Sequence, residues 1–302
     1  MKIGVQLERQ FSIYGEKGAL EVAAQAGFDT VDWSLHPQTD MFTCPLATNS
    51  MEVLAEHYRK LGEYAREFGL TVSQIHTPLA HAYRPEETAY NEGMYRMQQN
   101  SIACCAALGA KYAVMHVLQP PLEHYTPEYQ ALGDARNREF FQGLLPLLQK
   151  YDVQIAIENL FGITTLPSDD YDYSLTSRTQ EMAHVIDMLN DMAGEERFVA
   201  CVDTGHAILM GQDPAEMIRT LGKRVKVLHI HDNDGKHDQH LTPYMGKLHW
   251  DEALAALREI DYQGSFSFEA DGFINVFDKL CQPEAMRFLA RLGHHMTACA
   301  GL

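Results

Sequence analysis

The feature that most constrains the fold is a repeated alternation. Eight short apolar runs recur: Lys2–Leu7, Thr30–Ser34, Thr71–His76, Tyr112–Val117, Val153–Glu158, Phe198–Asp203, Val225–His231 and Ser265–Ala270. Between them lie stretches with helical periodicity, among them Met51–Phe68, Tyr95–Leu108, Asn137–Gln149, Thr179–Met192, Pro214–Leu221, Asp251–Ile260 and Pro283–Leu292. Strand alternating with helix builds βαβ units and a parallel sheet. Gly27, Gly69 and Gly109 each close a helical pattern just before the next run, where a left-handed residue ends a helix. Eight such units over residues 1–302, with no Gly/Ser-rich linker and no charge block, predict an α/β fold: one domain, a (β/α)8 TIM barrel. An open doubly wound sheet is the nearest alternative. It fits less well, because L-E-R-Q-F follows the first run instead of a glycine-rich phosphate loop.

A barrel places its active site at the C-terminal ends of the strands. Those ends read Asp32, His76, His116, Glu158, Asp203, His229 and Glu269. Buried groups of this kind are costly unless they are paired or hold a metal. The stretch Val225–Leu241 concentrates the same chemistry. Its four histidines and three aspartates suit a divalent cation, because imidazole and carboxylate together bind such ions. In C-V-D-T-G-H, Asp203 ends a strand and His206 follows at the start of the next helix. Glu158 and Glu269, on runs five and eight, are placed to face each other across the barrel mouth, as a metal site flanked by an acid and a base requires.

Composition excludes other classes. The net charge of −17 is a poor basis for binding a phosphate backbone, so no nucleic-acid partner is expected. The six cysteines contain no C-x-x-C pair and read as reduced, buried thiols. The N-terminus, M-K-I-G-V-Q-L, is already a strand, and no run of 18 apolar residues occurs, so neither a leader nor a membrane span is expected. Together these features indicate a cytoplasmic protein. Its oligomeric state is open, with a homo-oligomer allowed.

The motifs I-E-N at Ile157–Asn159, D-T-G-H at Asp203–His206, H-I-H-D at His229–Asp232, D-Q-H-L at Asp238–Leu241 and F-E at Phe268–Glu269 resemble one known group. It is the sugar isomerase/epimerase superfamily of xylose-isomerase-like barrels, which takes in ketose 3-epimerases, hydroxypyruvate isomerases, inosose dehydratases and an AP-endonuclease branch. The resemblance implies that Glu158, Asp203, His229 and Glu269 bind one divalent metal ion, Mn²⁺, Mg²⁺, Co²⁺ or Zn²⁺. It implies that Glu158 and Glu269 also exchange protons with the substrate. His229 is preferred to His231 because the family ligand stands three positions before an acidic residue, here Asp232. In the AP-endonuclease branch, positions matching His76, His116, His206, Asp238 and His240 hold further zinc ions. Here those five are expected to contact substrate as a polar rim.

Two features depart from the family. Pro243–Gly246 reads P-Y-M-G where P-G-E-G is common, and Gly235 stands where ketose 3-epimerases carry an arginine. The expected activity is a metal-dependent isomerase or epimerase of a small sugar or keto-polyol, by proton transfer next to a carbonyl through an enediolate. The alternatives are an inosose-dehydratase-like enzyme and a trinuclear-zinc, AP-endonuclease-like phosphodiesterase.

Overall fold

The structure is a computed structural model that describes residues 1–37, 40, 42–79, 87–122, 124–162 and 173–302. Eight strands form: β1 Ile3–Leu7, β2 Thr30–Ser34, β3 Thr71–His76, β4 Tyr112–Met115, β5 Gln154–Glu158, β6 Phe198–Asp203, β7 Val225–His229 and β8 Phe266–Phe268. They make one parallel sheet in the order β7-β6-β5-β4-β3-β2-β1-β8. The ends meet beyond β7, where Ile230 bridges Phe268. There the Ile230 N–H donates to Ser267 at 2.8 Å, and the Glu269 N–H donates to Ile230 at 3.1 Å. The sheet is the expected (β/α)8 TIM barrel. β2, β3 and β6 match their apolar runs, and β1, β5 and β8 start one residue later; β4, β7 and β8 stop two residues earlier, where pairing ends as the chain turns into the loops at the C-terminal end.

Helices cover the outside. Arg9–Ala26, the helix that Gly27 was expected to close, bends at Gly15 (φ 70°, ψ 164°), so its first part shows no clean periodicity. The expected helices are present, with Tyr95–Leu108 and Asn137–Gln149 lengthening to Thr88–Leu108 and Pro127–Tyr151. Side-chain caps start several: Ser50 accepts from the Val53 N–H, and Thr126 from the Tyr129 N–H. Gly27 (φ 98°) and Gly109 (φ 84°) are left-handed at helix ends, as their positions indicated. Among the cysteines, Cys44, Cys104, Cys105 and Cys201 are buried, whereas Cys281 and Cys299 are exposed, against expectation. Cys299 lies on the last helix, Gln282–Ala300, and Cys281 immediately precedes it.

The inside of the barrel decides where the site sits. Successive strand residues alternate between faces, so the residue two before each site residue lies one layer below it. Beneath His116, Glu158, Asp203 and His229 stand Val114, Ala156, Cys201 and Val227, which form a small apolar cluster. On the other half that layer is polar. Gln6 pairs in register with Asp32, and Asp32 with Gln74. Asp32 therefore does not end its strand, as the sequence reading placed it. It lies two residues earlier, fully buried inside the barrel.

Candidate metal and proton-transfer site

Four strands deliver one cluster. Glu158 ends β5, Asp203 ends β6, His229 ends β7 and Glu269 follows β8, and one ligand atom from each lies within 4.8 Å of the others. Two ligands of one ion, each bonded at about 2.0–2.5 Å, are at most about 4–5 Å apart. His229 Nδ1 is the centre. It lies 2.7 Å from Glu158 Oε1 and 2.7 Å from Glu269 Oε2. A ring nitrogen carries at most one hydrogen, so it cannot satisfy both. Glu269 Oε2 accepts no hydrogen bond despite that distance, because it lies off the donor direction. Convergent lone pairs on mixed imidazole and carboxylate donors fit a divalent cation.

The supports are equally specific. His229 Nε2 lies 3.0 Å from Asp32 Oδ2, which also accepts from Gln74 Nε2 at 2.8 Å. A carboxylate behind an imidazole fixes which nitrogen faces the ion. Asn159 brackets the backbone of Asp203, donating to its carbonyl at 2.9 Å and accepting from its N–H at 2.7 Å. Asp203 caps the short helix Thr204–Leu209, accepting the His206 N–H at 2.6 Å. Gln6 Nε2 donates to Glu269 Oε1 at 2.9 Å.

A second cluster lies beside the first. His206, His231, Asp238 and His240 also bring ligand atoms within 4.8 Å of one another. His231 Nε2 is 3.0 Å from the Asp203 carboxylate, and its ring stacks on His240 with centroids 4.1 Å apart. Gly205 makes room for this: a Cβ there would run into the His231 ring. The loop after β7 is folded by its other acids. Asp232 accepts from the Leu248 N–H and from Trp250 Nε1, and Asp234 accepts from the N–H groups of Lys236 and His237. Asp238 and His240 are thereby aimed inward, while His237 pairs with Asp234 on the surface. His76 and His116 complete the ring: their Nε2 atoms lie 3.4 and 2.7 Å from Glu158 Oε2.

Charge is concentrated here. Burial alone would raise the Glu158 pKa, but His229, His116 and His76 hold it well below the carboxylate range. Glu269 is likewise lowered against burial, by His229 and then His240. Burial opposes protonation of His76 and His206, yet Glu158 lifts the first to about 9, and Asp203 and Asp238 lift the second to about 10. The carboxylates thus demand positive charge, which either protons or a cation can supply.

A family model described as a xylose isomerase-like TIM barrel matches residues 20–292. The chain belongs to that family. It is similar to the uncharacterized protein y4fM of Sinorhizobium fredii, at 23% identity over 276 residues, 84% of this chain and 81% of that protein. It is also similar to the D-psicose 3-epimerase of Enterocloster bolteae, at 22% identity over 262 residues, 84% of this chain and 76% of that protein. A solved structure described as a D-tagatose 3-epimerase-like protein superposes with a TM-score of 0.69 at 17% identity, covering 100% of both chains.

In this xylose isomerase-like barrel the nine expected ligand and rim residues lie together, whereas Asp32 sits a layer below, Asp232 folds the loop and His237 faces outward. His76, His116, Glu158, His206, Asp238, His240 and Glu269 line a cavity of about 500 Å³ at the C-terminal end, and Asp203 and His229 lie fully buried in the ligand cluster. Sequence reasoning set His231 aside in favour of His229; the structure uses His229 in the first cluster and His231 in the second. It also passed over Gln6, Gln74 and Glu8. Their signal was legible in principle, since each is a polar residue at an inward position in or just beyond an apolar run. No helix among the described residues is long and apolar enough to cross a membrane.

Proposed function

We infer that this chain is a metal-dependent isomerase or epimerase of a small sugar or keto-polyol. One observation carries the reading: Glu158 and Glu269, from β5 and β8, meet at His229 Nδ1 and both border the cavity. Glu158, Asp203, His229 and Glu269 would hold one divalent ion. Such an ion polarises a carbonyl and an adjacent hydroxyl, making the neighbouring C–H more acidic. The chain supplies the rest. A carboxylate oxygen of Glu269, held by Gln6, is placed to take or return a proton at the carbon beside the carbonyl. Glu158 serves the opposite face, its own oxygens oriented by His116 and His229. His76, His116, His206, Asp238 and His240 are the rim that binds substrate hydroxyls. The named activities of the relatives support a carbohydrate substrate.

The test is proton exchange. With Mn²⁺ and a panel of ketoses and keto-polyols in D₂O, deuterium is expected next to the carbonyl of at least one compound. No exchange across a broad panel would refute the reading. Elimination of water from an inosose-like compound would instead identify the dehydratase variant of the same proton abstraction.

A second reading has its own observation. Three ligand groups occur together, Glu158/Asp203/His229/Glu269, His76/Glu158/His229 and His206/His231/Asp238/His240, as a trinuclear phosphodiesterase would need. Against it stand the net charge of −17 and the cavity, whose described lining holds Glu8, Glu158, Asp238 and Glu269 but no lysine or arginine. One metal ion per chain supports the isomerase. Three zinc ions with cleavage of abasic duplex DNA would establish the nuclease.

A further inference from the structure

The cavity above the ligand ring has two unlike sides. Gln6, Glu8, His36, Asp238, His240 and Glu269 come from β1 and from the segments after β1, β2, β7 and β8, which are neighbours around the barrel. The opposite side comes from the segments after β3, β4 and β5, also neighbours. It carries Leu79, Leu122, Leu160 and Phe161, with Gln119 and Ser174 as polar members. The division is therefore one polar arc facing one mainly apolar arc.

The apolar arc is not sealed into the core. Leu79 is 37% and Leu122 39% exposed at the cavity mouth, and Leu160 and Phe161 are half-buried. Phe161 leans over His206 with centroids 4.9 Å apart, so the apolar surface begins directly beside the rim. The cavity, about 500 Å³, is of the size that encloses a drug-sized ligand. A bare hexose held at the ligand ring would leave the outer apolar surface wet. Apolar surface left open next to a polar site marks where a ligand's apolar part is covered.

We propose that the site takes a neutral polyhydroxy carbonyl compound that carries a flat apolar substituent, such as an aryl group, in preference to a bare sugar or a sugar phosphate. The polyol end meets the ligand ring and the polar arc. The substituent lies along Leu79, Leu122 and Phe161. A phosphate finds no lysine or arginine among the described lining residues, and four carboxylates face it. The proposal rests on the isomerase reading for the polyol end, and the apolar arc supplies the rest.

Calorimetric titration of the full chain with Mn²⁺ separates the two. The probes are D-fructose, D-fructose 6-phosphate and 6-O-benzyl-D-fructose. The benzyl ether is expected to bind at least about tenfold more tightly than D-fructose, about 1.4 kcal/mol, and the phosphate no more tightly than D-fructose. Leu79→Asn with Leu122→Asn, at exposed positions away from the ligand ring, should cut the benzyl advantage to about threefold or less and leave D-fructose binding as it was. Equal affinities, failure of the benzyl ether to bind, tighter phosphate binding or an advantage untouched by the double variant would each overturn the proposal. A benzyl preference without deuterium exchange in any compound would sink the proton-transfer reading and leave the apolar arc standing. Exchange without a benzyl preference would do the reverse.

Discussion

Asp32→Asn tests the ligand ring through a group that touches no substrate. Asp32 is fully buried, and both of its donors, His229 Nε2 at 3.0 Å and Gln74 Nε2 at 2.8 Å, go to Oδ2. Oδ1 has no partner. An asparagine can therefore keep its carbonyl oxygen at the Oδ2 position and put its NH₂ where Oδ1 stood. Shape is preserved, and only the negative charge behind His229 is lost. That charge favours the tautomer with hydrogen on Nε2 and leaves Nδ1 to face Glu158 and Glu269. Removing a carboxylate behind a metal-ligating histidine costs about 10–100-fold in affinity, about 1.4–2.7 kcal/mol. Mn²⁺ titration of chelator-treated wild type and variant by calorimetry should show this loss, while the variant's far-UV circular dichroism stays that of the wild type. Nitrogen-15 spectra of the His229 ring should show the Nε2–H tautomer weakened. Unchanged Mn²⁺ affinity with an unchanged tautomer would refute the role given to Asp32.

Glu269→Gln should reduce deuterium exchange by about 10²–10⁴-fold while Mn²⁺ binding falls far less, since three ligands remain; equal loss of both would remove Glu269 from proton transfer. Gly205→Ala should destabilise the protein by about 1–3 kcal/mol, because a Cβ there meets the buried His231 ring; a melting temperature equal to wild type would show the ring has room to move. The metal-free protein should lose stability as pH rises. His76 and His206 have folded pKa values raised from 6.5 to about 9 and about 10, so their contribution is complete below 6.5 and is lost between 6.5 and 10. Melting temperatures of chelator-treated protein across that range, flat or rising, would contradict the charge pattern of the ring.

The barrel was legible because strand and helix alternate eight times and because glycines such as Gly27 and Gly109 mark where helices stop. The candidate site was legible because a barrel brings strand ends together, so residues as distant as His76 and Glu269 could be grouped without knowing a contact. What escaped followed from position within a strand. Asp32 looked like a strand end, and only pairing with Gln6 and Gln74 shows that it lies a layer deeper. The density of His and Asp after β7 was half scaffolding: Asp232 and Asp234 fold the loop, and His237 faces outward. Residue type alone does not separate an acid that bonds backbone N–H groups from one aimed at a ligand. For the helix Arg9–Ala26 only the end at Gly27 was legible, because the bend at Gly15 shifts the phase of its apolar positions.

The proposed isomerase reading calls for a single ion, not three, and the arrangement of charge is compatible with that. In the first cluster, Glu158 and Glu269 both approach one nitrogen that can hold only one proton, and the proposed reading puts its cation there. The second cluster is already matched. Asp238 lies 3.0 Å from His240 Nε2 and 3.7 Å from His206 Nε2. Burial opposes the charge on both histidines, but their acidic neighbours raise their pKa values, His206 to about 10. A cation binding there would compete with protons for those imidazoles. On that reading, one ion in the first cluster and protons in the second would leave N–H donors for neutral hydroxyl groups. A phosphodiester would need further cations there, on a chain whose net charge of −17 already repels a polyanion.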